Sequence, residues 1–512
     1  MVNKNQTKQG RAIKVNFQDD KVTAYGGLVL AERLATRLGL WSNLEKNMPK
    51  RRGYYDWLTI IKSGIMGLLT GSRGTYATED IRQDDSALAL LGLAKAPEEA
   101  TFWRCLEALG SEEIQKTLKS ALLRVARCIL SRSPRRQITL EGFVPVWADG
   151  SLLEGSPNRE GTKYIPEKGK GLLWSTIYVG SVLAAQRLAR ESEGEKTVVR
   201  SLLPEVVKDV LKATRLDRKA LLFLDSLHGD GPTLEDVEAC GLHYLIGANK
   251  LVLTQKVLQD QPEFVWEDTG SDPSRQIEKS GICVCQIQCA GWKKARTLIG
   301  KRWMLTGTFL YHYAGVLTDL EPADVKHIMN RKMSYAASLW SLYNRKMGME
   351  DYYKEPLEDL GLHHPPCQEY ERNAGFYAVA ALAHVLGRGV DLLGGDRKGA
   401  LRVNLQLLEL NTLDFLSMAL GVRRHGKFVE SGYESYFIWV CRYTGTLHDP
   451  LHPLPSVTTV FSVREILFFP EGLKRSCIRG LNTWALRVIY DKYWVKEKMS
   501  SPDEFQQGCR NR

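Results

Sequence analysis

A chain of 512 residues with 44% hydrophobic and 25% charged side chains has sequence enough for two to four ordinary globular domains with real cores. The formal net charge of +11 favours an anionic partner, nucleic acid being the commonest. The opening MVNKNQTKQGRAIKVNFQDD has no signal-peptide core, and no uninterrupted apolar run reaches the ~20 residues of a membrane span (375–387 is too short, and 57–71 carries Lys62). Ten scattered cysteines fit a reducing compartment, so a cytoplasmic protein with no membrane partner is expected.

Residues 1–23 are polar and expected to be loosely held. From Leu28, LVLAERLATRLGLWSNLEK places apolar residues at three- and four-residue spacing, the helical period. The basic loop PKRRGYY (49–55) leads to Asp56, whose carboxylate suits the N-cap of a helix over WLTIIKSGIMGLL. Residues 80–92 and 98–109 continue in helical style, the second holding Trp103 and Arg104 in TFWRCLEAL. Short helices with basic loops fit a helix-turn-helix type of DNA-binding domain over 1–135. A plain helical bundle fits the same pattern, with Trp103 in its core. SRSPRRQ (131–137) reads as a linker.

The period then changes. FVPVWA (143–148) reads as a strand ending at Asp149, and 172–179 and 181–188 as two more. An amphipathic helix over 202–214 precedes LLFL (221–224), a buried strand ending at Asp225; a short helix (234–239) and a strand (244–246) follow. The predicted fold class is α/β, a mixed sheet of order β-β-β-α-β-α-β over 136–250 and 320–386. Residues 251–319 are Gly-punctuated and alternating (FVWEDTG, ICVCQIQC, WMLTGTFLY) and read as a β-strand insertion. Cys283, Cys285 and Cys289 would face one side of a strand; no second Cys or His cluster with zinc spacing follows, so buried strand cysteines are favoured over a metal site. SLWSLYNRKMGMEDYYKEPL (338–357) reads as one helix on which Tyr343, Lys346, Glu350 and Lys354 share a face. A solvated charged face and a metal-binding glutamate with phosphate-contacting neighbours both fit it. The region 387–512 opens with a Gly-rich stretch lacking phosphate-loop spacing and ends in cations interleaved with aromatics, from Lys474 to Trp494, which suit DNA or dimer contacts or a solvated basic tail.

Asp149, Asp225 and Glu350 are the candidate catalytic carboxylates. Mg²⁺ is a hard cation that takes carboxylate oxygens and keeps several waters. Two such ions ~3.5–4 Å apart can activate an attacking hydroxyl and stabilise the leaving oxygen of a phosphodiester. Chance also places aspartates at strand ends among 59 acidic residues. Asp230 is a substitute for Asp225, and His228 reads as a loop histidine rather than a ligand.

The segment YNRKMGMEDYYKEPLEDLGL resembles the Tyr-x₂-Arg-x₃-Glu-x₆-Lys signature of DDE transposases encoded by bacterial insertion sequences. VTAYGGLVLAERLATRLGLW, KRRGYYDWLTIIKSGIMGLLTG, ATFWRCLEALG, ADGS (148–151), LDSLHGD (224–230) and NAGFYAVAALAHVLG extend the resemblance over about residues 20–390. It implies a ribonuclease-H-like catalytic domain in which Asp149, Asp225 and Glu350 bind Mg²⁺ (two ions, with Mn²⁺ as a substitute). The implied activity is cleavage at terminal inverted repeats, followed by attack of the freed 3′-hydroxyl on target DNA. The implied partners are transposon-end and target DNA and a second copy of the chain, a homodimer in a synaptic complex in the bacterial cytosol. Tyr343, Arg345, Lys346 and Lys354 are the implied DNA contacts. Two positions depart from the signature: Lys346 stands where it has Arg, and Leu357 where it has Lys. A catalytically inactive, transposase-derived DNA-binding protein is the alternative, and a stand-alone nuclease a more distant one.

Overall fold

The computed structural model describes residues 25–154, 158–165, 169–248, 252–329 and 333–394. The readings on 1–23 and on the basic aromatic stretch of the C-terminal region lie outside the described residues. The chain begins with α1 (Leu28–Arg37) and α2 (Leu40–Asn47), parted by Gly39 at φ 68°, a left-handed turn that glycine adopts without Cβ strain. In α3 (Trp57–Leu69) Asp56 accepts from the Thr59 N–H at 2.7 Å, the expected N-cap. Then come α4 (Glu79–Arg82), α5 (Asp85–Leu91, capped by Asp84), α6 (Glu99–Gly110), α7 (Glu112–Arg132) and α8 (Arg135–Ile138). The stretch read as a linker is thus the end of one helix and the start of another. Ile138 is buried there, which holds the segment down.

The α/β part comprises β1 (Val144–Glu154), β2 (Lys163–Ile165), β3 (Gly169–Val179), β4 (Val182–Leu188), α9 (Glu195–Val206, running on as a π-helical turn over Val207–Lys212), β5 (Ala220–Leu224), α10 (Gly231–Ala239), β6 (His243–Gly247) and α11 (Val252–Gln259). The strands β7 (Glu267–Asp268), β8 (Ile277–Ile287), β9 (Arg296–Leu305) and β10 (Tyr311–Thr318) follow, then α12 (Tyr335–Asn344), α13 (Glu350–Asp359) and α14 (Tyr370–Gly394).

Among the described residues the strands form one mixed sheet of order β2-β3-β1-β5-β6-β10-β9-β8-β7, with β4 also paired to β3. β1 runs antiparallel to β3 and parallel to β5, and β5 parallel to β6. The strands read as an insertion extend this sheet, because β10 pairs antiparallel with β6 (Val316↔Gly247). β1 does not stop at Asp149: β3 supplies partners as far as Glu154↔Gly171, so Asp149 lies within the strand, opposite Thr176. The helix expected from residue 202 begins at Glu195; its polar first turn shows no apolar period, and burial starts at Val198.

The stretch 338–357 is not one helix. A 3-10 turn over Arg345–Met349 separates α12 from α13. Gly348 lies in that turn, and glycine costs about 1 kcal/mol relative to alanine inside a helix.

The centre of the helical part is α14. It packs on α1, α3, α6 and α7 and on β4, within a continuous buried cluster that includes the sheet. Its apolar length exceeds the 375–387 run seen in sequence. Among the described residues it is the one helix long and apolar enough to cross a membrane, yet 72% of its apolar window is buried within the fold. Gly110 and Gly375 allow its crossing with α6: a Cβ on Gly110 would meet the Glu371 carbonyl oxygen at 1.9 Å, and one on Gly375 the Leu106 carbonyl oxygen at 2.2 Å. The buried Lys62 ammonium on α3 is met by Glu32 at 2.8 Å and lies over the Trp41 ring, so its charge is paired rather than stranded.

Candidate active site

The last register pair of the parallel strands β1 and β5 is Trp147↔Phe223, whose buried rings stack 4.2 Å apart. Two residues further on come Asp149 and Asp225. Adjacent parallel strands therefore deliver the two carboxylates at one level, just past the carboxyl end of the β1–β5 pairing, the side on which α/β sheets place their ligand sites. Asp149 Oδ1 accepts the N–H of Gly150 at 2.9 Å. Asp225 Oδ1 accepts the Leu227 N–H at 2.9 Å and orders the 3-10 turn Ser226–His228. The Asp225 side chain is 44% exposed, so the site opens to solvent on that side.

His228 and Glu195 complete the cluster. His228 is fully buried, its Nε2 2.9 Å from Glu195 Oε1 and 3.9 Å from Asp225 Oδ1. One ligand atom from each of Glu195, Asp225 and His228 falls within 4.8 Å of the others, the sole such group found among the described residues. The cysteines of β8 do not form one. Glu195 lies against β1 at Gly150, where an added Cβ would be 2.6 Å from its Oε2. Burial, then the nearby charges of Glu195 and Asp225, push the Asp149 carboxyl up to about 6; Lys346 and the Gly150 N–H act in the opposite direction.

Over this cluster lies α13. Its Tyr353 ring meets Tyr178 of β3 edge-on at 5.3 Å, and Glu355 is 4.0 Å from Arg388 of α14. Burial raises the Tyr353 phenol, and the charge of Asp149 raises it further, with contributions from Glu195 and Asp225. The Tyr353 Oη is buried and has no hydrogen-bond partner among the described atoms. Glu350 is the first residue of α13, one turn before Tyr353, so the backbone brings it to the same end of the sheet. The Glu350 side chain lies outside the described set.

The other expected site residues divide. Lys346, in the turn before α13, is half-buried and close enough to Asp149 to lower its carboxyl. Arg345 is exposed and 3.7 Å from Glu141. Lys354 is exposed on α13. Tyr343 turns inward and donates to the Leu224 carbonyl oxygen at 3.2 Å, directly before Asp225. Burial and then the Asp225 charge push its phenol up to about 12. Gly247 leaves room for it, since a Cβ there would lie 2.7 Å from the phenol oxygen. Asp230, the substitute for Asp225, is engaged elsewhere: it caps α10 through the Thr233 N–H and pairs with Lys196 at 2.7 Å.

Glu195 and Tyr353 were not picked out by sequence reading, and His228, read there as a loop histidine, is buried against Glu195. A glutamate directly after Gly194 at a helix start was the available signal for the first. Nothing local marks Tyr353. Carboxylates with one imidazole and no thiolate suit a hard divalent cation. The burial and then the carboxylate repulsion that raise Asp149, with the unsatisfied Tyr353 hydroxyl, fit such an occupant, since a bound cation would be the largest local charge.

No curated protein matches the chain. Among solved structures it aligns with the piggyBac transposase synaptic complex with hairpin DNA at 11% identity and a TM-score of 0.37, over 90% of this chain and 92% of that one. Residues 5–414 match the model of the transposase DDE domain group 1, and the chain belongs to that family.

Proposed function

We propose that this chain is the transposase of a bacterial insertion sequence, cutting phosphodiester bonds at the element's terminal repeats and joining the freed 3′-hydroxyl to target DNA. The observation that carries the reading is that Asp149 on β1 and Asp225 directly after β5 come side by side, beneath the helix that Glu350 opens, in a chain of this family. Antiparallel pairing through β4, β3 and β1, with parallel pairing through β1, β5 and β6, supports a ribonuclease-H-like sheet.

Asp149, Asp225 and Glu350 are the residues that would hold Mg²⁺ or Mn²⁺. Two such ions, when bound, would activate the attacking hydroxyl and stabilise the leaving oxygen of the scissile phosphate. Asp225 leaves part of its carboxylate open to solvent, where a phosphate group can reach it. Lys346 beside Asp149 offers a cation to a phosphate, as a point charge rather than the bidentate fork of arginine. Arg345 and Lys354 are exposed and suited to backbone contacts outside the metal centre. Tyr343, hydrogen-bonded to Leu224, acts by fixing the end of β5. The proposed working form is a homodimer holding two DNA ends, in the bacterial cytoplasm.

Leu357, at the signature's final lysine position, is buried on α13; it is the observation that favours the inactive, DNA-binding reading. The two readings separate on a labelled duplex carrying the element's own terminal repeat. The expected result is a nick at the element end that leaves a 3′-hydroxyl, seen with Mg²⁺ or Mn²⁺ and abolished by EDTA. Specific binding of the duplex without nicking in Mg²⁺ would refute the enzymatic reading in favour of the binder.

A further inference from the structure

We propose that Glu195 is a fourth carboxylate of the metal centre, held in place by His228; the inference rests on the metal-site reading above. Glu195 is the first residue of α9, and its side chain is only 10% exposed. A carboxylate buried that far normally pairs with Lys or Arg, because an unpaired buried charge costs several kcal/mol. Among the described residues Glu195 has no such partner. Its neighbour Lys196 pairs with Asp230, and among the described residues the side chain that hydrogen-bonds Glu195 is the imidazole of His228.

The arrangement is built, not incidental. Glu195 reaches β1 only because residue 150 is glycine: a Cβ there would lie 2.6 Å from Oε2 and 2.7 Å from the carboxyl carbon. The carboxylate therefore lies beside Asp149, and His228 places it near Asp225. A second, independent group points at the same place. Tyr353 is 8% exposed, its Oη lacks a partner among the described atoms, and Asp149, Glu195 and Asp225 all bear on it electrostatically. Three carboxylates converging under an unsatisfied hydroxyl, with Lys346 the cation acting on Asp149, leave net negative charge for a divalent cation to neutralise. Hydrogen-bonded partners that orient a ligating carboxylate are a regular part of such sites, and His228 fills that role toward Glu195. A clasp between α9 and the turn after β5 would need the Glu195–His228 hydrogen bond but no negative charge at Glu195.

The test is Mn²⁺ binding by the EDTA-stripped full-length chain, read from the electron paramagnetic resonance signal of the free ion, with melting temperature in EDTA as the check on folding. Glu195→Gln keeps the side-chain shape and a hydrogen-bonding oxygen for His228 while removing the charge; it is expected to weaken Mn²⁺ binding about tenfold or more. Gly150→Ala keeps Glu195 but fills the space its carboxylate occupies, and is expected to weaken binding at least threefold. Losses in both variants, at a melting temperature in EDTA equal to or above that of the wild type, support the inference. Wild-type Mn²⁺ affinity in Glu195→Gln while Asp149→Asn has lost binding overturns it, as does a loss accompanied by a melting temperature several degrees lower in EDTA. If Asp149→Asn also binds as the wild type does, the metal-site reading itself falls, and this inference with it.

Discussion

Asp149→Asn is expected to lower Mg²⁺-dependent nicking of the element's end by about three orders of magnitude or more, with binding of the same duplex held within about twofold. The asparagine keeps the length of the side chain on β1 and can still accept the Gly150 N–H, so the strand and its pairing with β3 are undisturbed. What is lost is a negative oxygen donor beside Asp225. Glu350→Gln is expected to give a loss of similar size, because α13 brings residue 350 to the same end of the sheet. Quantitative single-turnover cleavage, paired with a gel-shift of the uncut duplex, separates chemistry from binding. Normal cleavage by Asp149→Asn would refute the assignment.

The same substitution has a second expected effect, of opposite sign, on the metal-free protein. The Asp149 carboxyl is raised from an ordinary 3.8 to about 6 in the fold, chiefly by burial and then by Glu195 and Asp225. A group whose folded value is raised contributes stability below its unfolded value, and that contribution is lost as pH rises through the folded value. In EDTA, wild-type stability should therefore fall between about pH 4 and pH 6. At pH 7.5 Asp149→Asn should be the more stable of the two by about 2–3 kcal/mol, a difference that closes below pH 4. Chemical denaturation across that range measures it. Such a site holds repulsive charge that its cation relieves, a common exchange of stability for activity.

Gly375→Ala is expected to destabilise the fold by about 3 kcal/mol or more. The new Cβ would lie 2.2 Å from the Leu106 carbonyl oxygen and 3.0 Å from the Gly110 nitrogen, and both are helix backbone that cannot rotate away. α14 or α6 must then move, and α14 touches α1, α3, α7 and β4 as well, so the strain spreads through the shared core. Gly387→Ala on the same helix is the internal control. Its nearest new neighbour is the flexible Leu69 side chain at 3.4 Å, and helix propensity favours alanine by about 1 kcal/mol, so it should be neutral or stabilising. Urea midpoints of the two variants decide; equal midpoints would show that the α6–α14 crossing is looser than its geometry implies.

Local chemistry is legible wherever a short stretch carries its own instruction. Asp56 at an N-cap, the period of α3, the apolar runs of β3, β4 and β5, and the aspartates following FVPVWA and LLFL all follow from residue type and spacing alone. The text around Glu350 resembles a signature of DDE transposases, and the chain belongs to a transposase DDE family. Where the chain must meet itself, local pattern is silent. β1 passes beyond Asp149 because β3 pairs with it, and β10 joins the sheet because β6 offers an edge. The 338–357 stretch carries an unbroken helical period, yet the fold divides it at Arg345–Met349, sending Tyr343 to Leu224 and Tyr353 to the carboxylates. Glu195, His228 and Tyr353 lie 33 to 158 positions apart in the sequence and become neighbours only when β1, β5, α9 and α13 close on one another. By itself the sequence determined which side chains could do metal chemistry and where elements begin. Tertiary packing decided which of them share one site, because burial, charge repulsion and a glycine-sized gap at residue 150 are properties of the assembled sheet and helices.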